Sequence, residues 1–219
     1  MDYKTIDDFM SDTADALVQT ALEQVPVVGF FVSAADKVKG AYLQRKYESW
    51  QELVNTRLST LESSVFEQLG ENETFSVAFM KATELAASSN QRKMELLANA
   101  VKYSAENAVK DDYLIIFLNC IARYTITHLI VLKYFQSPTE PKGVEGLISS
   151  SPMELFKKQI TNIDKDVVTI AIQDLQRDGL MQQAELNGTM TKGGCLASRT
   201  TDMGNSFIDF FGIKDLSNE

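Results

Sequence analysis

The sequence predicts a mainly α protein in two parts: an N-terminal helical bundle over residues 1–122 and a smaller C-terminal domain over 123–219 with a two-stranded β wing. Two observations carry this reading. In the first part apolar residues recur at steps of three and four with no alternating stretch, which is the period of a helix rather than a strand. The last part orders its elements as helix, helix, helix, two short β runs around Asn187-Gly188, and a closing helix.

Taken in order, Ile6, Phe9, Met10, Ala14, Leu17, Val18, Ala21 and Leu22 predict an amphipathic helix over 6–23. Pro26 ends it, because the residue before a proline is steered out of the α region. A second helix starts around 27–30. From Leu43 onward, Tyr47, Trp50, Val54, Leu58, Leu61, Val65 and Leu69 form the seam of one long helix stopped by Gly70. That seam fits a globular core, and it also fits a dimerising coiled coil. Asn72 is the N-cap of a helix through Phe75, Phe79, Leu85 and Ala86. After Ser89-Asn90 comes a helix through Met94, Leu97, Ala98, Val101 and Tyr103, and after Asp111-Asp112 another to Tyr124.

In the second part, Ile126, Leu129, Leu132 and Phe135 share one face of a helix over 125–135, followed by a loop over 137–150. Ser151 caps a short helix that opens with Pro152 and carries Glu154 three residues on. Asp164 caps the next, whose apolar side is expected to be Val167, Val168, Ile170, Ala171 and Leu175, and Gly179 stops it. Leu180-Met181 starts the first wing strand. Asn187-Gly188 turns it, since both residues tolerate positive φ, and the return strand passes through Leu196. Thr201 opens the last helix, whose Phe207, Ile208, Phe210 and Phe211 close the core.

Two junctions carry a resemblance. Leu175-Gln176-Arg177-Asp178-Gly179-Leu180 resembles the junction of winged-helix domains where the second helix ends, a glycine follows and the first wing strand begins. Thr201 through Phe211 resembles their polar-start, aromatic-end closing helix, common in bacterial regulators. The likeness covers residues 122–212 and rests on packing and turn chemistry, so it implies a fold rather than an activity. The N-terminal half, with Val25-Pro26-Val27-Val28-Gly29, resembles uncharacterised bacterial helical proteins.

Charge separates the function classes. The chain has a net charge of −9, with 12 basic and 18 acidic residues up to Tyr124 and 9 and 12 after it. Phosphate neutralisation supplies most non-specific nucleic-acid affinity, so neither half reads as a polyanion binder. The helix after Asp164 carries Lys165 and Arg177 against Asp164, Asp166, Asp174 and Asp178. These carboxylates are expected to repel a duplex from the element that winged-helix readers lay in the major groove. A DNA reading would rest on Thr169 and Gln173 for base edges and on Arg177 and Lys192 for phosphates. The competing expectation is a non-enzymatic regulatory or protein-interaction module, bound to a protein partner or self-associated as a homo-oligomer.

Catalytic signals are weak. His128 is the single histidine and sits on a helix among apolar residues, where it is expected to be bonded at a helix contact. Cys195 follows Gly193-Gly194 without a Walker arrangement or a partner histidine, and reads as part of a flexible wing tip. Two well-separated cysteines match no metal spacing; reduced thiols are the simplest account and a single bridge is the alternative, and neither a cofactor nor an enzyme activity is implied. Acidic residues crowd the start in place of a secretory signal, and the apolar run 25–35 is about half the ~20 residues a membrane helix needs. A cytoplasmic chain is expected. A membrane-active effector exposing its N-terminal helices is the third class, weakened because no Lys or Arg lies between Lys4 and Lys37.

Overall fold

The computed structural model describes residues 41–141 and 149–214, with side chains from 45 onward. The expected N-terminal helix 6–23, the Pro26 break and the apolar run 25–35 lie outside the described residues. Those that are described are mainly helical, with a small two-stranded antiparallel sheet. No described helix is long and apolar enough to cross a membrane. The chain divides into two compact units, parting between Leu118 and Asn119.

The first unit is built on α1 (Ala41–Leu58), α2 (Ser63–Glu67), α3 (Glu73–Ser88) and α4 (Gln91–Glu106), followed by α5 (Asp111–Arg123), which begins in it. Trp50, Val54 and Leu58 are buried at four-residue steps on α1, as are Ala78, Ala82 and Ala86 on α3. The alanines leave room for α4, which packs on both helices and buries Met94, Leu97, Ala98 and Val101. The Trp50 Nε1–H donates to Thr83 Oγ1 at 3.1 Å, so the ring is buried without an orphaned donor. This is the core packing expected of α1, not a free coiled coil.

The single long helix expected to reach Leu69 is corrected. It stops at Leu58, where the Ser59 and Thr60 hydroxyls donate back to the carbonyls of Thr56 and Arg57. Two consecutive hydroxyl residues offer the backbone an alternative to the next helical turn. Leu69 then enters a separate 3-10 turn, Leu69–Glu71, which holds Gly70. Asn72 caps α3, accepting from the Phe75 N–H at 2.9 Å, and Asn90 caps α4 in the same way through Lys93.

The second unit contains α6 (Ile126–Gln136), β1 (Ser149–Ser150), α7 (Pro152–Gln159), α8 (Lys165–Arg177), β2 (Met190–Thr191), α9 (Lys192–Cys195) and α10 (Asp202–Phe211). Ser151, Asp164 and Thr201 cap α7, α8 and α10 as the sequence suggests, and Pro152 opens α7. Gly179 ends α8 at φ 75°, a left-handed position that disfavours a side chain. Phe207, Ile208, Phe210 and Phe211 are all buried with Leu129, Leu132, Phe135, Phe156 and Leu175. Phe135 and Phe156 stack at 5.7 Å, and Tyr134 meets Phe156 edge-on at 5.0 Å.

The β region departs from expectation. Ser149-Ser150, placed in a loop by the sequence, pairs antiparallel with Met190-Thr191. The partner of Met181 is Thr200, through an isolated bridge flanked by Thr201 N–H to Leu180 O and Gln182 N–H to Arg199 O. Leu196 lies in no strand, because Thr191 caps a four-residue helix through the Gly194 N–H. Asn187 and Gly188 do not use the left-handed region; Glu185 instead accepts the Asn187 N–H, and Leu186 is buried beneath. A capping threonine and a buried leucine thus replace the expected continuous hairpin.

One close approach fixes how α10 lies. A Cβ at Gly204 would fall far inside contact distance of the Leu180 carbonyl oxygen, so only a glycine lets the helix meet the backbone at Leu180. Gly204→Ala is expected to destabilise the chain by about 3 kcal/mol, the upper range of overpacking. Urea unfolding measures it; a loss no larger than that of Gly193→Ala, where a Cβ has open space, refutes this constraint.

Candidate interaction surface

The most informative element of the second unit is α8. Val168, Ala171, Ile172 and Leu175 are buried along it, at the i, i+3, i+4, i+7 spacing of one helical face. This corrects the expected apolar side: Val167 and Ile170 point away and are 38% and 54% exposed, while Ile172, overlooked in the sequence, is buried. Six apolar residues in this short helix span more than one face, and only the stripe completed by Ile172 has four members.

The back of α8 is locked by a polar network. Asp178 Oδ2 accepts from Tyr124 Oη at 2.7 Å and from Arg123 Nη2 at 2.9 Å. Asp174 Oδ2 lies 3.3 Å from His128 Nε2, and its Oδ1 pairs with Arg177 Nη2 at 2.9 Å. The Tyr124 and His128 rings stack with centroids 4.8 Å apart. Because the Thr125 backbone N–H donates to His128 Nδ1 at 3.1 Å, that nitrogen must carry a lone pair. The proton of the neutral ring therefore sits on Nε2, facing Asp174. The histidine is buried at a helix contact, as its apolar setting suggested.

This geometry revises the electrostatics of α8. Asp164 Oδ1 accepts the N–H groups of Asp166 and Val167, while Asp174 and Asp178 are engaged as above. Three of the four aspartates expected to repel a duplex are thus committed to caps and pairs. Among the described residues, the two cations expected at phosphates do not form a ridge in their place. Arg177 is held by Asp174 and Asp178, and Lys192 by Glu140 at 2.6 Å. Thr169 and Gln173 are exposed on α8, with the Thr169 hydroxyl donating to the Lys165 carbonyl at 3.0 Å. Arg199 turns inward, its Nη2 donating to the Gly194 carbonyl at 2.7 Å. The outward face is therefore Asp166, Val167, Thr169, Ile170, Gln173 and Arg177: polar, nearly neutral and centred on apolar side chains.

The thiols are not displayed. Cys195 is buried on α9 and donates to the Ser150 carbonyl at 3.2 Å, which corrects its expected place in a flexible wing tip. Burial pushes the Cys120 thiol up, and the nearby Asp178 carboxylate adds to this, disfavouring the reactive thiolate. Among the described residues no group of three or more His, Cys, Asp or Glu side chains could hold a metal ion. Comparisons with protein families, curated proteins and solved structures give no match to the chain.

Two tyrosines give contrasting tests. Tyr124→Phe removes the donor to Asp178 and should cost about 2 kcal/mol, as for hydrogen bonds to charged groups. The Tyr134 hydroxyl is buried without a partner among the described residues, so Tyr134→Phe should stabilise by about 1 kcal/mol. Burial, reinforced by Cys195, pushes the Tyr134 pKa up to about 12. An acid whose folded pKa is raised gives stability that is intact below its unfolded pKa of about 10 and lost as pH rises toward the folded value. The advantage of Tyr134→Phe should therefore widen from pH 10 to about 12 in denaturant titrations. Equal stabilities of both variants and the parent at neutral pH would refute the assignment.

Proposed function

We propose that the chain is a non-enzymatic regulatory module of the cytoplasm, and that its C-terminal unit is a winged helix that docks a protein rather than DNA. The observation that carries this is the outward face of α8, where Val167 and Ile170 are exposed beside the uncharged Thr169 and Gln173, with Asp166 and Arg177 at its ends. Interface centres favour such apolar residues and are depleted of charge. Support for the winged-helix reading comes from the order α6, β1, α7, α8, then the Met181–Thr200 bridge and α10. The two cations the DNA reading assigns to phosphates, Arg177 and Lys192, already hold carboxylates. A phosphate would have to displace those partners.

The second reading is a DNA-binding regulator using Thr169, Gln173, Arg177 and Lys192. It gains from the pairing of Asp174 and Asp178 with Arg177 and Arg123, which removes part of the expected repulsion. Fluorescence anisotropy on a random duplex at low salt separates the two readings. The docking reading expects a dissociation constant weaker than about 1 μM and a shallow salt slope, since the slope counts neutralised phosphates. Tighter binding that falls steeply with salt and is lost in Arg177→Gln/Lys192→Gln establishes the DNA reading instead. Sedimentation equilibrium of the intact chain tests self-association as the docking mode. A concentration-dependent mass that Ile170→Glu abolishes places the contact on α8, and an unchanged mass assigns the contact to other surfaces.

A further inference from the structure

The turn between α7 and α8 encloses a cleft of about 250 Å³, lined by Phe156, Lys157, Ile160, Thr161, Ile163, Lys165 and Val168. Phe156 and Val168 are buried, so the floor is part of the unit's core, while the two lysines stand exposed. A second observation comes from the ion pairs. Arg123, Lys158, Arg177 and Lys192 each hold a carboxylate within the second unit. Lys157 and Lys165 pair with no described residue, and both border this one apolar hollow. Asp164 and Asp166 flank Lys165 in sequence, but Asp164 is occupied with the α8 amides, and neither lies in ion-pair range of the ammonium. The α8 amides are already capped, leaving the lysines as the cationic groups available to a ligand.

We propose that this cleft binds a small apolar carboxylate, a short fatty or aromatic acid, with its hydrocarbon against Phe156, Ile160, Ile163 and Val168 and its carboxylate between Lys157 and Lys165. Small-molecule sites join an apolar lining to a few convergent polar groups. The volume lies just below the roughly 300 Å³ at which drug-sized pockets begin, and so suits one short chain or one ring. Lysine supplies a point charge to an anion, and the apolar floor gains from covering hydrocarbon. Occupancy would also tie the last turn of α7 to the first residue of α8, giving a docking helix a ligand-dependent foundation. The site does not depend on the docking reading, since neither Val167 nor Ile170 lines the cleft.

Isothermal titration of the intact chain with octanoate, octanol and octylamine tests this, with amide chemical shifts locating the bound probe. Octanoate is expected to bind at least tenfold more tightly than either neutral or cationic analogue. The shifts should fall on residues 156–168. Lys157→Gln/Lys165→Gln, two exposed changes compatible with folding, should weaken octanoate at least tenfold and leave octanol within twofold. Ile160→Ser should weaken both. Equal affinity for the three probes, an unchanged double variant, shifts elsewhere, or no octanoate binding at millimolar concentration overturns the proposal.

Discussion

The second unit depends on one carboxylate, that of Asp178, just past the last turn of α8. It draws together the end of α5, through Arg123, the following Tyr124, and the neighbouring Arg177. A buried or half-buried acid is costly unless its oxygens are satisfied, and here the tyrosine hydroxyl and a guanidinium satisfy one of them. Asp174, one turn earlier, repeats the pattern with His128. With these two anchors set, α8 has no freedom to roll. Its stripe of Val168, Ala171, Ile172 and Leu175 must face inward, and Val167 and Ile170 must face out.

That constraint converts a sequence-level charge count into a different surface. Counted along the helix, the acids dominate; placed in space, most of them act as caps and anchors. What remains outside is neither the negative wall that the composition suggests nor the positive strip a phosphate backbone seeks. The same anchors use up Arg177, and Glu140 uses up Lys192. Exposed ion pairs contribute little stability, about 0–1 kcal/mol. Their importance here is that they decide which charges a partner meets unpaired.

Local signals were the legible part. Asn72, Ser151, Asp164 and Thr201 are caps, and Gly179 is a stop, because capping needs only a few neighbouring residues. The aromatic end of α10 was equally plain. Strand pairing was not, since Ser149-Ser150 and Met190-Thr191 are two residues each and carry no alternation to read. The break after Leu58 was masked by apolar spacing that continued through the hydroxyl pair. At the surface, Thr169 and Gln173 were correctly placed on the exposed side, whereas Ile170 was assigned to the core because its type outweighed its position. The pairing of Lys192 with Glu140 joins segments far apart in sequence, whereas that of Arg177 with Asp174 is local to α8.

Gly204 has a consequence for ancestry. Side chains around a core can drift together while keeping volume, but a point where backbone meets backbone offers no substitute of another size. Distant cousins of this chain, too diverged to align by their apolar residues, should still preserve a bare α-carbon three positions after a hydroxyl cap. Joined to a left-handed glycine about 25 residues upstream, that vacancy makes a sparse signature by which such kin could be recognised.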